Sequence, residues 1–209
     1  MDKSKFAVST YNKIADEYTK QYFNELTDTP WIDRFLDCLP KGAKILDIGC
    51  GPGTFTGYVA NKGYKIKGID LSSKMINIAR EKVPGIDFKV ADMRKLSYEG
   101  EVFDGLLAAY SLIHIPSKEM VATLKGFYRI LQKGGVLLVI AQKGEPDKIV
   151  DELLKEGERI FVNFFTKSRL SKFLKKAGFE IKFQEETEMQ DSDSLSDRVI
   201  YAIAQKPVE

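Results

Sequence analysis

The chain has 209 residues, 44% of them hydrophobic, so we expect a single domain with an ordinary buried core. Its 32 Lys and Arg residues against 30 Asp and Glu residues give a net charge of +2, which argues against a nucleic-acid or membrane partner. Cys38 and Cys50 form no CxxC pair, so the sequence predicts neither a disulfide scaffold nor a metal site. It contains no signal-peptide-like or membrane-spanning apolar run, so we expect a cytoplasmic protein.

Strand-like apolar runs alternate with helical patterns along the chain. The runs lie at 43–49, 64–70, 86–92, 103–110, 135–141, 179–187 and 198–206. Runs with little polar alternation are typical of strands buried on both faces of a parallel sheet. No helical spacer separates the last two runs, which predicts an antiparallel hairpin. The sequence therefore predicts an α/β fold, with a doubly wound sheet of seven strands and helices on both faces.

The helices between these strands begin and end at residues typical of helix termini. Ser72 or Ser73 can cap one helix. Ser117 begins a second, which we expect to end at Gly134 and Gly135, and Thr166 begins a third. Each of these predicted helices therefore lies between two predicted strands.

Two segments lie outside the alternation. Residues 1–40 contain a helical pattern with tyrosines on one face, which predicts a helical lid preceding a domain over 41–209. Segment 141–165 is charged, with apolar patches, and we interpret it as an insertion over the ligand crevice. A plain connecting helix is the alternative interpretation of that segment.

A glycine-rich loop follows the first predicted strand. Residues 45–53 read ILDIGCGPG, with Gly49, Gly51 and Gly53 at alternate positions. Glycine allows the backbone to take a positive φ and to approach a ligand closely. A dinucleotide fingerprint would place its third glycine where Thr54 stands, and no Gly-Lys-Ser/Thr sequence of a nucleoside triphosphatase occurs. The loop is therefore typical of neither class.

The sequence LDIGCGPG resembles motif I of the class I methyltransferases that use S-adenosylmethionine (SAM). Four later segments resemble further motifs of this family in the same order: GIDLSSKM, VADMRKL, FDGLLAAYSLIHI and FYRILQKGGVLLV. The N-terminal YNKIADEY is similar to the start of many small members. The resemblance covers residues 8–141 and, more loosely, the rest of the chain. It implies the Rossmann-like methyltransferase fold, with an antiparallel last strand, and SAM as the cofactor.

The resemblance also implies which residues contact the cofactor. Asp70 would accept the ribose hydroxyls and Asp92 the adenine amine, whereas a helix cap or a loop carboxylate is the alternative for either acid. Leu71 and Met93 would enclose the adenine ring or belong to the core. The backbone carbonyl of Tyr110 would meet the methionine ammonium. The full set of implied contacts is Tyr11, Tyr18, Asp47, Gly49, Cys50, Gly51, Gly53, Asp70, Leu71, Ala91, Asp92, Met93, Ala109 and Tyr110.

The chemistry implied by this cofactor is in-line displacement at a sulfonium carbon. Its leaving group is a neutral thioether, so positioning can supply much of the rate. His114, the only histidine, is the candidate base if the acceptor must lose a proton, with a structural role as the alternative. Phe161, Phe164 and Phe165 could wall an acceptor pocket, although the core is the favoured interpretation.

We expect a small-molecule methyl acceptor, no nucleic-acid or membrane partner, and a monomer or homodimer. A non-catalytic SAM-binding protein and a methyltransferase that acts on a macromolecule are the alternatives. Oxygen, nitrogen, sulfur and carbon acceptors all remain open.

Overall fold

The computed structural model describes residues 2–188 and 195–208 of the chain. A seven-stranded sheet contains β1 (Lys44–Ile48), β2 (Lys65–Asp70), β3 (Asp87–Val90), β4 (Phe103–Ala109), β5 (Leu131–Gln142), β8 (Glu180–Glu188) and β9 (Arg198–Gln205). A separate two-stranded sheet contains β6 (Lys148–Asp151) and β7 (Arg159–Val162). The helices are α1 (Lys3–Tyr22), α2 (Thr29–Leu36), α3 (Thr54–Asn61), α4 (Ser73–Lys82), α5 (Ser117–Ile130) and α6 (Lys167–Lys176), with a short 3₁₀ helix at Leu112–His114.

The strands of the large sheet lie in the order β3-β2-β1-β4-β5-β9-β8. The first five strands are parallel to their neighbours, whereas β9 pairs antiparallel with both β5 and β8. The predicted doubly wound fold and its terminal hairpin are thereby confirmed. The strand order reverses between β1 and β4, and ligands of such sheets bind beside the carboxyl ends of the strands at this point.

The large sheet is buried on both faces. Successive side chains of a strand point to opposite sides, so neighbouring residues belong to different hydrophobic clusters. Leu106 and Leu137 belong to one hydrophobic cluster, whereas the next residues, Leu107 and Leu138, belong to the other. All four side chains are fully buried. This two-sided core explains why the strands read as unbroken apolar runs. Within the described ranges, no helix is both apolar and long enough to cross a membrane.

The predicted helix starts agree with the structure better than one predicted helix end does. Ser72 caps α4 by accepting the Met75 N–H, and Thr166 caps α6. The prediction that α5 ends at Gly134 and Gly135 is wrong, because the helix ends at Ile130. The backbone is already extended at Leu131, which pairs with Phe103 of β4, so both glycines lie within β5. Leu131 continues the apolar helix pattern, and this masked the boundary.

Helix α1 and the β6–β7 hairpin pack against each other. The Thr10 hydroxyl of α1 donates to the carbonyl of Arg159 in β7 at 2.7 Å. On another side of α1, the Ser72 hydroxyl donates to the Asn12 amide oxygen at 2.6 Å. Segment 141–165 contains the β6–β7 hairpin and no helix. This contradicts the alternative interpretation of the segment as a connecting helix.

Candidate functional site

Two adjoining cavities lie beside the carboxyl ends of β1, β2 and β4. Their volumes are about 90 Å³ and about 690 Å³. Seven residues line both cavities: Tyr11, Tyr18, Gly49, Gly51, Ala109, Tyr110 and His114. The smaller cavity adds the predicted residues Asp70, Leu71, Ala91, Asp92 and Met93, and the larger one adds Asp47 and Cys50. Of the predicted site residues, Gly53 alone lines neither cavity.

The three glycines of the loop after β1 have different surroundings. All three have a positive φ, which disfavours any residue with a side chain. A Cβ on Gly49 would lie 2.3 Å from the Cβ of Ser111, whereas a Cβ on Gly51 would meet nothing within 4 Å. A Cβ on Gly53 would lie 3.2 Å from the Phe88 ring, so this glycine allows α3 to pack on the sheet. Gly51 is the one whose missing side chain leaves room for a ligand.

Two carboxylates support this loop, that of the buried Asp47 and that of the partly buried Asp70. Asp70 accepts hydrogen bonds from the Gly51 N–H at 3.0 Å and the Ser72 N–H at 2.8 Å, so it fixes the loop as well as lining the smaller cavity. Burial raises the pKa of Asp70 above its usual range. Asp47 accepts the Thr56 hydroxyl at 2.6 Å, and burial raises its pKa to about 7. Both acids therefore hold the loop through hydrogen bonds.

Asp92 is held by an arginine that the sequence analysis missed. The Arg94 guanidinium donates to both carboxylate oxygens of Asp92, with Nη2 at 2.7 Å. It also contacts Asp2 and Glu119. Partial burial opposes ionisation of Asp92, but the hydrogen bonds from Arg94 outweigh it and hold the pKa below its usual range. The spacing of two residues in VADMRKL was the available signal for this pair.

His114 has a partner on each ring nitrogen. Nδ1 lies 2.9 Å from the Phe161 carbonyl oxygen, which only accepts, so Nδ1 carries the proton. Nε2 is therefore an acceptor, and it receives the Tyr11 hydroxyl at 2.9 Å. Burial lowers the pKa of His114 to about 4, although its bond to Phe161 favours the charged form. The imidazole is neutral at physiological pH.

Tyr110 begins the loop after β4 in a strained conformation, with φ +53°. Its hydroxyl donates to Asp28 at 2.9 Å, and the Tyr201 hydroxyl donates to the other Asp28 oxygen at 2.5 Å. Burial raises the pKa of Asp28. No local sequence pattern predicts Asp28 or Tyr201 as site residues, because the two lie 173 residues apart in the chain.

Ser111 has an orphaned hydroxyl in the smaller cavity. The residue is only 5% exposed, and its Oγ is the one buried side-chain oxygen of the described residues that lacks a hydrogen-bond partner. Buried polar groups are seldom left unpaired. The hydroxyl lies beside Gly49, and its residue lines the smaller cavity.

The larger cavity extends beyond the glycine loop. Tyr22 of α1, Leu154 of the β6–β7 hairpin and Trp31 of α2 belong to its lining. The Trp31 ring stacks on Tyr201 with centroids 4.4 Å apart. The three phenylalanines at 161, 164 and 165 line neither cavity and are buried in the core, so the favoured interpretation of these residues is confirmed.

Comparisons with known proteins agree with this geometry. The profile of a family described as a methyltransferase domain matches residues 45–135. The chain is 32% identical over 154 residues to the ubiquinone/menaquinone biosynthesis C-methyltransferase UbiE of Campylobacter jejuni, covering 67% of this chain and 65% of that protein. A crystal structure of a SAM-dependent methyltransferase from Methanosarcina mazei has a TM-score of 0.76 and 25% identity, over 84% of this chain and 98% of that one. Residues 45–135 therefore belong to a methyltransferase domain family, and the fold around them is that of the class I SAM-dependent methyltransferases.

SAM is the cofactor that this fold family uses, and the smaller cavity has groups that fit it. Gly51 leaves space at the loop, the Ser111 hydroxyl lacks a partner and Asp70 presents a carboxylate. Arg94 is the one Arg or Lys among the described residues that contacts a lining acid of the smaller cavity, and three carboxylates already neutralise it. This suits a cofactor that is cationic and carries no phosphate.

The relatives of this chain are named for different acceptors, and they are longer than the chain. It spans 65% of UbiE. It is 32% identical over 152 residues to the tRNA (carboxymethyluridine(34)-5-O)-methyltransferase alkbh8 of Xenopus tropicalis, covering 70% of this chain but 23% of that protein. Similarity alone therefore does not choose the acceptor.

Proposed function

We propose that this chain is an enzyme that transfers the methyl group of SAM to a small-molecule acceptor. The larger cavity carries the proposal, because it shares its innermost lining with the cofactor cavity and continues toward Trp31 and Tyr201. Its volume of about 690 Å³ lies within the usual range of roughly 300–1,000 Å³ for small-molecule pockets. Helix α1 and the β6–β7 hairpin supply part of its wall, which favours a small acceptor over a macromolecule.

The residues around the smaller cavity suggest how the cofactor is held. Asp70 keeps lone pairs for the ribose hydroxyls, and Leu71 and Met93 offer apolar surface to the adenine. Asp92 could accept the adenine amine at Oδ2, whose main donor is Nη2 of Arg94, because Oδ1 already accepts both Nε–H and the backbone N–H of Arg94. We place the methionine end beside Tyr110 and Ala109, at the end of β4.

Catalysis in this proposal rests on positioning. Bound SAM supplies a methyl group on a sulfonium sulfur, which leaves as a neutral thioether. The cavity walls hold the acceptor in line and exclude water. We still propose that His114 acts as the base, but the proton of the acceptor cannot go to Nε2 directly, because Nε2 already accepts the Tyr11 hydroxyl. A proton would reach His114 through Tyr11.

Residues 1–40 act as a lid in this proposal, and segment 141–165 acts as a substrate cap. Tyr11, Tyr18 and Tyr22 project from α1 into the larger cavity, and residues 152–154 line it from the hairpin. Both elements would have to open for ligands to enter. Residues 41–209 would then form the SAM-binding domain beneath them.

The test has a binding part and a transfer part. Calorimetry should show micromolar binding of SAM and of S-adenosylhomocysteine, its demethylated product, with no comparable binding of NAD or ATP. Protein incubated with methyl-labelled SAM should then label a small-metabolite extract but not total tRNA. Labelled tRNA alone would establish the macromolecular alternative. Binding without transfer to either pool would favour a non-catalytic SAM-binding protein.

A further inference from the structure

The larger cavity has an unusual balance of charge. Its acidic lining residues are Glu25, Asp28, Asp47, Glu152 and Glu188, and its described lining contains no Lys or Arg. The one histidine, His114, is neutral. An anionic acceptor would enter this cavity without a basic partner, whereas a cationic acceptor would find several carboxylates.

Most of these carboxylates already have side-chain partners. Asp28 accepts two tyrosine hydroxyls, and Asp47 accepts a threonine hydroxyl. Glu188 lies 3.5 Å from the Arg198 guanidinium, and Glu25 is exposed at the mouth. These interactions leave one half-buried carboxylate to consider, that of Glu152.

Glu152 lies in the β6–β7 hairpin, directly after β6. Its carboxylate accepts the Leu154 N–H at 3.2 Å, and no side chain within the described ranges donates to it. Burial raises its pKa above the usual range. A half-buried carboxylate that faces a cavity without a cationic partner is stabilised by a ligand that brings one.

The aromatic lining provides a second, independent observation. The Tyr18 ring lies 5.6 Å from Tyr11 and 4.8 Å from Tyr22, centroid to centroid, so α1 presents three adjacent rings to the cavity. Aromatic faces attract cations, most strongly at desolvated sites.

We propose that the methyl acceptor is an amine that enters as a cation, pairing with Glu152 against the tyrosine face of α1. This inference rests on the proposed function and narrows its acceptor from any small molecule to a nitrogen nucleophile. Acceptors whose only charge is a carboxylate or a phosphate are excluded by the same lining.

The amine must lose a proton before it can attack, and in this inference Glu152 takes that proton in place of His114. The ammonium transfers H⁺ to the Glu152 carboxylate, which leaves a neutral amine with a free lone pair. That lone pair forms the N–C bond to the methyl carbon, while the C–S bond breaks and its electron pair stays on sulfur. The product is a methylated ammonium, and the proton on Glu152 passes to water. No oxidant or further reactant is required.

Binding without turnover tests the inference. Protein saturated with S-adenosylhomocysteine is titrated with benzylamine, benzyl alcohol and benzoate, three probes of similar size that differ in charge. We expect benzylamine to bind at least tenfold more tightly than the other two. Glu152→Gln should weaken benzylamine binding by on the order of tenfold and leave benzyl alcohol unchanged, the usual scale for one charge-assisted hydrogen bond.

Glu156→Gln is the matched control, since it removes the same charge from an exposed position in the same hairpin outside the cavity lining. Equal losses in both variants, or no preference for benzylamine, would overturn the inference and leave the proposed function standing. A Glu152→Gln variant that loses SAM affinity but keeps benzylamine affinity would assign the carboxylate to the cofactor instead. Failure of the wild type to bind S-adenosylhomocysteine would overturn both proposals.

Discussion

The Tyr11 hydroxyl donates a hydrogen bond of 2.9 Å to Nε2 of His114, which joins α1 to the loop after β4. The other ring nitrogen is bonded to the Phe161 carbonyl, and the His114 carbonyl accepts the Ser4 hydroxyl at 2.8 Å. One half-buried histidine therefore connects α1, the β4 loop and β7. Protonation of Nε2 would remove the acceptor of the Tyr11 hydroxyl, so the contact between α1 and the β4 loop depends on a neutral His114.

Tyr11→Phe should lower the free energy of unfolding by about 1–3 kcal/mol, because it leaves Nε2 of His114 buried without a donor. Hydrogen exchange in α1 should accelerate as the contact with the β4 loop weakens. Tyr18→Phe is the control, since no hydrogen bond of the Tyr18 hydroxyl occurs among the described residues. Urea unfolding and hydrogen exchange measure the two effects. Equal losses in both variants would show that the Tyr11–His114 bond contributes nothing measurable.

The histidine should also make stability depend on pH. Burial lowers the pKa of His114 from 6.5 in its usual environment to about 4, so folding favours the neutral form. Its contribution is present above pH 6.5 and is lost as the pH falls through about 4. Other acids titrate in this window, so the measured quantity is the difference in unfolding free energy between the wild type and His114→Gln. That difference should shrink from pH 7 to pH 4, and a constant difference would contradict the assigned pKa.

The framework of the site can be predicted from the sequence, but its long-range contacts cannot. The seven strands and the glycine loop follow from local periodicity and turn chemistry, which short segments encode. The bonds from Tyr11 to His114 and from Tyr201 to Asp28 join residues 103 and 173 positions apart, so only the folded chain reveals them. Tertiary pairing likewise fixed the end of α5, where Leu131 leaves the helix to pair with β4.

Asp70→Ala should weaken SAM binding and lower stability together. The carboxylate lines the cofactor cavity, and it also accepts the N–H groups of Gly51 and Ser72. We expect a loss of about 1.5–3 kcal/mol in binding free energy, with about 1–3 kcal/mol in unfolding free energy. Asp70→Asn retains one acceptor oxygen, so it should lose less binding free energy and less unfolding free energy than Asp70→Ala. Calorimetry and urea unfolding measure them, and an Asp70→Ala protein with wild-type SAM affinity would return Asp70 to a purely structural role.

Gly49 and Gly51 should respond differently to alanine, although both have a positive φ. Alanine at either position pays the left-handed backbone penalty of roughly 1–2 kcal/mol. At Gly49 the new Cβ would lie 2.3 Å from the Cβ of Ser111, so a clash adds to this penalty. At Gly51 the Cβ meets nothing within 4 Å and enters space next to the cavities. The first substitution should therefore chiefly reduce stability, and the second should chiefly reduce SAM affinity.

The two effects can be separated with a compensating change. Adding Ser111→Gly to Gly49→Ala removes the atoms responsible for the clash, so the double variant should recover part of the lost unfolding free energy. Ser111→Gly should recover nothing in a Gly51→Ala background, because no atom of Ser111 lies near that position. Urea unfolding of the wild type, the three single variants and the two double variants gives both coupling free energies, and calorimetry gives the SAM affinity. Gly51→Ala with wild-type SAM affinity would show that the cofactor does not approach the loop there, because a Cβ in the path of a bound ligand cannot be accommodated without loss of binding.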